Sequence, residues 1–246
     1  MSAGRRSVRR LPVATPLTDP GFAAEVERSV TLRRAFGFSR LAVAFACAVA
    51  LVFRFLWGLG TATFTASNFF AYLTIQSNIV FVVVWALAGA SAIRYAVDPP
   101  WLATLRAVVL SCTVSAGIVF AVLIQQAGQR DFRIDVPWSD LLLHFYLPAL
   151  ALADWVAAPG RGRCLWRALP YVLGYLVLWG GLTLARGAVV GWYPYFFLDP
   201  VQVSGVPEFL LLSGVALVLF TVVTGGLVAV GRTRPLAGPK GRQLPR

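Results

Sequence analysis

Six long apolar runs dominate this sequence, at roughly residues 36–58, 69–90, 102–125, 137–157, 166–186 and 208–230. Each run is close to the ~20 residues that a helix needs to cross the hydrocarbon core of a bilayer. Hydrocarbon offers no hydrogen-bond partner, so each run must satisfy its own backbone groups and is predicted to be helical. A transmembrane barrel would show short alternating segments instead, which these continuous runs exclude. The sequence therefore predicts an all-α polytopic membrane protein, a bundle of six transmembrane helices.

The composition agrees with lipid as the solvent. Hydrophobic residues make up 58% of the chain and charged residues only 13%, whereas a soluble domain carries roughly 25% charged residues. The net charge of +12 comes almost entirely from arginines that lie between the apolar runs. That placement indicates topological charge flanking membrane spans rather than a surface for nucleic acid. We expect membrane lipids as partners and no nucleic acid; the sequence leaves the oligomeric state open.

The distribution of basic residues predicts the orientation. Of the 22 Lys and Arg residues, only four fall on one side of the predicted spans, namely Arg54, Arg130, Arg133 and Arg186. The positive-inside rule places the other side, with both termini, in the cytoplasm. The predicted division is a basic, disordered tail over residues 1–34, the six-helix domain over residues 35–231 and a basic tail over residues 232–246. The bias toward Arg, Ala and Gly indicates a bacterial genome, and hence a multi-pass protein of the bacterial inner membrane.

The single histidine, His144, lies inside the fourth predicted span. A transmembrane haem protein needs paired axial ligands, and a zinc hydrolase needs three protein ligands. One histidine supplies neither set, and the three cysteines show no spacing typical of a metal site or a disulfide framework. The sequence therefore predicts no metal and no cofactor.

His144 lies about seven residues from the outer start of its helix, roughly 10 Å deep. Asp140, four residues earlier, shares a helix face with His144 and is placed to orient its ring. Pro148, four residues later, lacks the N–H that would bond the His144 carbonyl, so we expect a kink that leaves this carbonyl free. One interpretation of His144 is a catalytic base. The alternative is a histidine that hydrogen-bonds between helices and serves packing.

A polar stripe opens the second predicted span. Thr74, Ser77 and Asn78 follow an i, i+3, i+4 spacing and so share one helix face. Thr74 lies roughly 8–9 Å deep, close to the depth of His144. A hydroxyl is a poor nucleophile unless an adjacent base takes its proton, and an imidazole at matched depth is such a base. The alternative is that these residues serve helix packing, as Ser and Thr commonly do in membranes.

Charged residues near the helix ends have two interpretations. Arg54 and Arg186, at the outer ends of the first and fifth runs, could hold a carboxylate or phosphate head group. They could instead snorkel to the interface. Asp154 lies near the cytoplasmic end of the fourth run, where we expect it to pair with Arg161 or Arg163.

The outer loop before the sixth run reads GWYPYFFLDP and contains Tyr193 and Asp199. Its aromatic residues suit the belt that anchors proteins at the membrane interface. They could equally form a lid over a pocket that opens outward. The sequence alone allows both interpretations at once.

Three stretches occur together and in order: NFFAYLTIQSN at residues 68–78, LLLHFYLPALALADW at residues 141–155 and RGAVVGWYPYFFLD at residues 186–199. As a set they resemble the bacterial branch of a six-pass family related to the mammalian androgen-induced membrane proteins. That group includes the androgen-dependent regulator of tissue factor pathway inhibitor. The resemblance covers roughly residues 36–230 and leaves out both tails.

The mammalian relatives are threonine hydrolases that cleave fatty acid esters of hydroxy fatty acids with one Thr and one His. The resemblance implies Thr74 as the nucleophile and His144 as its partner. We therefore predict a membrane-embedded lipid ester hydrolase that acts without a cofactor. The alternative is a non-enzymatic six-pass protein that binds or transports a lipid or small solute. Six further residues are predicted to support the site or bind substrate, namely Asn78, Ser77, Asp140, Arg54, Tyr193 and Asp199.

Overall fold

The computed structural model describes residues 20–129 and 136–237. Its helices are α1 (Pro20–Leu59), α2 (Ala66–Ala71), α3 (Leu73–Arg94), α4 (Pro100–Gln129), α5 (Trp138–Ala157), α6 (Ala168–Val190) and α7 (Val206–Gly231). All but α2 are long and apolar enough to cross a membrane, which makes six candidate spans among the described residues. The part of the chain that is described contains no strand. The predicted all-α polytopic bundle is confirmed.

The first helix begins earlier than predicted. It starts at Pro20, so the predicted boundary between residues 34 and 35 lies inside α1. Proline is tolerated in the first turn of a helix, and no proline follows it within α1. Arg33 also anchors this extension, because its guanidinium donates to Asp98 and to two backbone carbonyl groups. Residues 1–19 and 238–246 of the predicted tails, and the loop residues Arg130 and Arg133, lie outside the described residues.

The centre of the bundle is built from α1, α3, α4 and α5. Helix α3 packs along both α1 and α4, and the buried rings of Phe81 and Trp85 stack with their centroids 4.3 Å apart. Trp155 of α5 is fully buried in the same cluster, and its indole N–H donates to the Leu227 carbonyl of α7 at 3.0 Å. Helices α6 and α7 pack against α4 and complete the bundle.

A network of five charged side chains lies at the inner end of the bundle, the end that we predict to face the cytoplasm. Asp98, in the loop between α3 and α4, accepts hydrogen bonds from Arg33 at 2.8 Å, from Arg106 at 3.1 Å and from Arg40 at 3.3 Å. Asp154 accepts from Arg40 at 2.9 Å and also from Arg106. Both aspartates are thus shared between α1 and α4.

Burial in this network raises the pKa of Asp98, but the guanidinium groups of Arg40, Arg106 and Arg33 outweigh burial and hold the pKa below its usual value. The guanidinium of Arg106 also lies between two tryptophan rings, 5.2 Å from the centroid of Trp85 and 5.3 Å from that of Trp155. The network therefore joins α1, α3, α4 and α5 through charges and aromatic rings together.

The expected partner of Asp154 was wrong. Asp154 pairs with Arg40 and Arg106 rather than with Arg161 or Arg163. Arg161 instead donates to the carbonyl groups of Trp155, Val230 and Thr233. The prediction chose arginines close to Asp154 in sequence. Arg40 and Arg106 are distant in sequence, and the packing of α1 against α4 and α5 brings them to Asp154.

We expect Asp98→Asn to lower the free energy of unfolding by about 3–5 kcal/mol, because it leaves three buried arginines with one carboxylate. The measurement is helix loss during titration with sodium dodecyl sulfate in mixed micelles. Asp199→Asn is the control, since Asp199 bonds only within its own turn, to the Val201 N–H and the Gln202 side chain. Equal stability of the two variants would contradict a structural role for the network.

Candidate active site

A cavity of about 580 Å³ is lined by residues of all seven helices and of the loop after α6. Most of its wall is apolar. Seven side chains that carry a charge, a hydroxyl or an imidazole line it toward the outer end of the bundle, namely Arg54, Tyr72, Thr74, Asp140, His144, Tyr195 and Ser213. Thr74 and His144, predicted from different spans, therefore lie on the wall of one cavity.

The position of His144 follows from a local change in helix α5. Residues Leu142–Tyr146 form a π-helical turn. Pro148 follows two residues after the end of this turn and supplies no N–H to the His144 carbonyl. The α-helical ladder is thus interrupted just before Pro148 by a π-turn, a feature often found at functional sites, and the kink at Pro148 itself stays a prediction. Helix α4 approaches this turn closely at Gly117, where a Cβ atom would collide with the His144 carbonyl oxygen.

The His144 ring is held on two sides. Its Nδ1 lies 2.9 Å from the backbone carbonyl oxygen of Asp140, and its plane stacks on Phe120 with the centroids 3.8 Å apart. A carbonyl oxygen only accepts hydrogen bonds, so the neutral ring carries its proton on Nδ1. The other ring nitrogen, Nε2, is then an acceptor. Asp140 orients the ring as expected from its position, but through its backbone rather than its carboxylate.

Thr74 lies in the first turn of α3. Helix α2 ends at Ala71, Tyr72 is extended, and α3 starts at Leu73. This break places the backbone N–H groups at the start of α3, and the positive end of its dipole, next to the Thr74 side chain. Thr74 is 8% exposed, and it lines the cavity. A hydroxyl there is close to groups that favour negative charge.

Tyr195 is a site residue that the sequence did not indicate. It lies in the loop after α6 and lines the cavity beside Thr74. Burial raises the pKa of Tyr195 to about 12, although the neighbouring hydroxyl and N–H of Thr74 and the N–H of Leu73 lower it. The phenol therefore stays protonated at neutral pH. An aromatic run in a loop was the only signal, and it did not separate Tyr195 from its neighbours.

Ser77 and Asn78 support Thr74 from behind. The Ser77 hydroxyl and the Asn78 amide donate to the Thr74 carbonyl oxygen at 3.0 and 2.9 Å. The Asn78 side-chain oxygen faces the thiol of Cys47 at 3.5 Å. Neither Ser77 nor Asn78 lines the cavity. Of the predicted stripe, only Thr74 reaches the cavity wall, and the other two residues fix its backbone.

Arg54 and Asp140 form an ion pair at the cavity wall. The Arg54 Nε donates to the Asp140 carboxylate at 2.8 Å, and the two side chains are 25% and 11% exposed. The Arg54 guanidinium also lies 4.8 Å from the centroid of Trp57. Arg54 therefore faces the cavity rather than only the interface, but one of its nitrogens is already bound to a carboxylate.

The other predicted residues of the outer end lie away from the cavity wall. The Tyr193 ring occupies the space beside Gly187, and Asp199 bonds within its own turn. Arg186 donates to the Asn68 side-chain oxygen at 2.6 Å, and its guanidinium carbon lies 5.5 Å from the centroid of the Trp192 ring. The loop itself does cover the cavity, through Pro194, Tyr195, Phe197 and Leu198.

No family model, curated protein or solved structure matches this chain. The described residues contain no group of three or more His, Cys, Asp or Glu side chains that could hold a metal ion. The chemistry of the cavity is therefore inferred from its own hydroxyl, imidazole, phenol and guanidinium groups.

We expect Gly117→Ala to lower the free energy of unfolding by about 1–3 kcal/mol, because the added methyl group overpacks the contact between α4 and the π-turn. Titration with sodium dodecyl sulfate measures the change. Gly174→Ala is the matched control, since a Cβ atom at Gly174 has no neighbour within 4 Å. A Gly117→Ala protein as stable as the control would show that the close approach at His144 is not required.

Proposed function

We propose that this protein is a membrane-embedded hydrolase of lipid carboxylic esters, with Thr74 as the nucleophile and His144 as the general base. The observation that carries the proposal is that both side chains lie on the wall of one cavity in an apolar bundle. The resemblance of the chain to a family of threonine hydrolases supports the same pair. From the bias toward Arg, Ala and Gly we also propose the bacterial inner membrane as its location, and the distribution of Arg and Lys predicts both termini in the cytoplasm.

In the first half of the reaction, His144 Nε2 takes the proton from Thr74 Oγ1 while Oγ1 attacks the ester carbonyl carbon. The bond between that carbon and the leaving alcohol oxygen then breaks. The alcohol leaves with the proton from His144, and the acyl group stays on Thr74 as an ester. The tautomer with the proton on Nδ1 suits this role because Nε2 is free to accept.

In the second half, His144 Nε2 takes a proton from water, and the resulting hydroxide attacks the acyl-threonine carbonyl. The bond to Thr74 Oγ1 breaks, Oγ1 regains the proton from His144, and the fatty acid leaves. Each half passes through an oxyanion. We assign the oxyanion to the phenol of Tyr195, which lines the cavity with Thr74, and to the N–H groups at the start of α3.

We assign substrate binding to the guanidinium of Arg54, the charged group that the two reaction steps do not use. Arg54 keeps donors beyond the one that binds Asp140, and these suit a carboxylate or phosphate carried by the substrate. Such a group would share the guanidinium with the Asp140 carboxylate. The rest of the cavity wall is apolar and suits the acyl chains.

We expect Thr74→Ala and His144→Ala to lose ester hydrolysis by about 10²–10⁴-fold or more, since each removes a group that acts in the transition state. Purified protein in nanodiscs is assayed on a panel of lipid esters. A fluorophosphonate probe should label the wild type but not Thr74→Ala. The matched control is Thr183→Ala, because Thr183 is equally buried at 8% but does not line the cavity.

Full activity of both variants on every ester that the wild type cleaves would reject the catalytic pair. Retention of lipid without turnover and without a covalent adduct would favour a protein that only binds or moves lipids.

We expect Tyr195→Phe to lower kcat on the order of 10²-fold with little change in KM, because it removes one donor to the oxyanion. With a Tyr195 pKa of about 12, the wild type should keep this contribution up to about pH 10. The measurement is a pH profile of kcat for both proteins between pH 7 and 10. A Tyr195→Phe enzyme with wild-type kcat would assign the oxyanion to backbone groups alone.

A further inference from the structure

The cavity extends from its polar end as an apolar arm between α4, α6 and α7. Leu176, Gly180, Phe209, Ala216 and Phe220 line this arm. Phe220 lies 14 residues into α7, which begins at the outer surface, so the arm reaches roughly 20 Å into the membrane at 1.5 Å per residue. The hydrocarbon core is about 30 Å thick. The arm therefore runs from the outer interface to beyond the middle of the bilayer.

The arm is not closed toward the lipid. Val177 and Gly181 of α6 and Leu217 of α7 line the cavity and are also exposed, Val177 at 66% and Leu217 at 36%. A Cβ atom at Gly180 or Gly181 would have no neighbour within 4 Å. Residues that line a cavity and are exposed at once form its rim. Because all three belong to membrane-spanning helices, this rim faces hydrocarbon rather than water.

We infer that the gap between α6 and α7, bounded by Val177, Gly181 and Leu217, is a lateral portal through which the acyl chain of an outer-leaflet lipid enters the cavity. The polar end of that lipid lies at Arg54, Thr74 and His144, and its chain lies in the arm. The inference rests on the proposed function in one respect, the presence of an ester group at Thr74 and His144. Entry of an acyl chain through the portal does not require hydrolysis.

A lipid suits this cavity because it has an apolar chain and a polar head group, and the cavity has an apolar arm and a polar end. The wall of the arm matches an acyl chain, which moves from bilayer hydrocarbon into the arm without crossing water. The guanidinium of Arg54, at the other end of the same cavity, matches an anionic or ester head group. A small hydrophilic solute would match only one end of the cavity and would have no path through a rim that faces hydrocarbon.

Blocking the portal tests the inference. Gly181→Trp places a large ring in the gap, and Gly174→Trp is the matched control, because Gly174 is exposed on the same helix two turns away and does not line the cavity. The full chain is reconstituted in nanodiscs with phosphatidylcholine that carries a photoreactive diazirine on one acyl chain. After irradiation, mass spectrometry maps the label to single residues of α7 and compares Phe220, which lines the cavity and is 3% exposed, with lipid-facing Val218, which is 62% exposed.

We expect Gly181→Trp to reduce labelling of Phe220 at least fivefold while Val218 keeps its label, and Gly174→Trp to label like the wild type at both residues. Labelling of Gly181→Trp at the wild-type level, or absence of label from Phe209 and Phe220 in the wild type, would overturn the portal. If Gly181→Trp does not fold, as judged by gel filtration, Leu217→Trp with Leu210→Trp as its control gives the same comparison on α7.

Assays of hydrolysis with two kinds of ester distinguish the portal from the catalytic proposal. In the wild type and Gly174→Trp, long-chain and short water-soluble esters should both be cleaved, whereas Gly181→Trp should lose at least tenfold on the long-chain ester and keep the short one. Loss of labelling in Gly181→Trp together with no hydrolysis by the wild type would retain the portal and reject the hydrolase. Equal loss on both esters would overturn a role of the portal in chain entry.

Discussion

Hydrocarbon solvates neither a charge nor an unbonded backbone group, and this constraint decides where the few polar side chains of the chain lie. Among the described residues, the buried charged and imidazole groups gather at two places, the ionic network at the inner end and the polar wall of the cavity at the outer end. In the network, guanidinium groups and carboxylates satisfy one another. On the cavity wall, a hydroxyl, an imidazole and a phenol keep capacity for a further partner. The first arrangement stabilises the bundle, and the second leaves groups available for chemistry.

The two ends of the bundle also differ in how the helices are joined. The ionic network holds α1, α4 and α5 but includes no residue of α6. The polar contacts of α7 with other helices fall toward its inner end, at Thr224 and at the Leu227 carbonyl. Helix α6 bonds to α2 and α3 through Arg186 and Tyr175, but among the described residues no hydrogen bond or ion pair joins α6 directly to α7. Segments with few polar cross-links open at low free energy, which is what a route for lipid between these helices needs.

Much of the fold was predictable because its physical cause acts on each segment alone. The length of an apolar run and the need for internal hydrogen bonds set the six spans without any knowledge of neighbours. Depth along a helix follows from rise per residue, so Thr74 and His144 could be matched in depth before their contacts were known. The kink predicted at Pro148 is also a local inference, since it follows from one missing N–H.

The parts that sequence reasoning missed depend on which helices touch. Asp154 had several arginines within reach, and only the packing of α1 and α4 selected Arg40 and Arg106. Asn78 has the right depth for an oxyanion donor, yet its amide bonds the Thr74 carbonyl of its own helix. Tyr195 approaches Thr74 because the loop after α6 folds back over α3. A single chain carries no signal that separates Tyr195 from Tyr193 in the same aromatic run.

The ion pair of Arg54 with Asp140 has a consequence for His144. In many sites a carboxylate binds the ring N–H and stabilises the imidazolium. Here Arg54 engages the Asp140 carboxylate at 2.8 Å, and the ring is bonded by the neutral carbonyl of the same residue at 2.9 Å. The ring thus gains a fixed orientation and tautomer without a buried negative partner. A neutral, oriented imidazole with a free Nε2 is the form that can take a proton from Thr74. The salt bridge, the π-turn and the close approach of Gly117 therefore all bear on the position of one residue, His144.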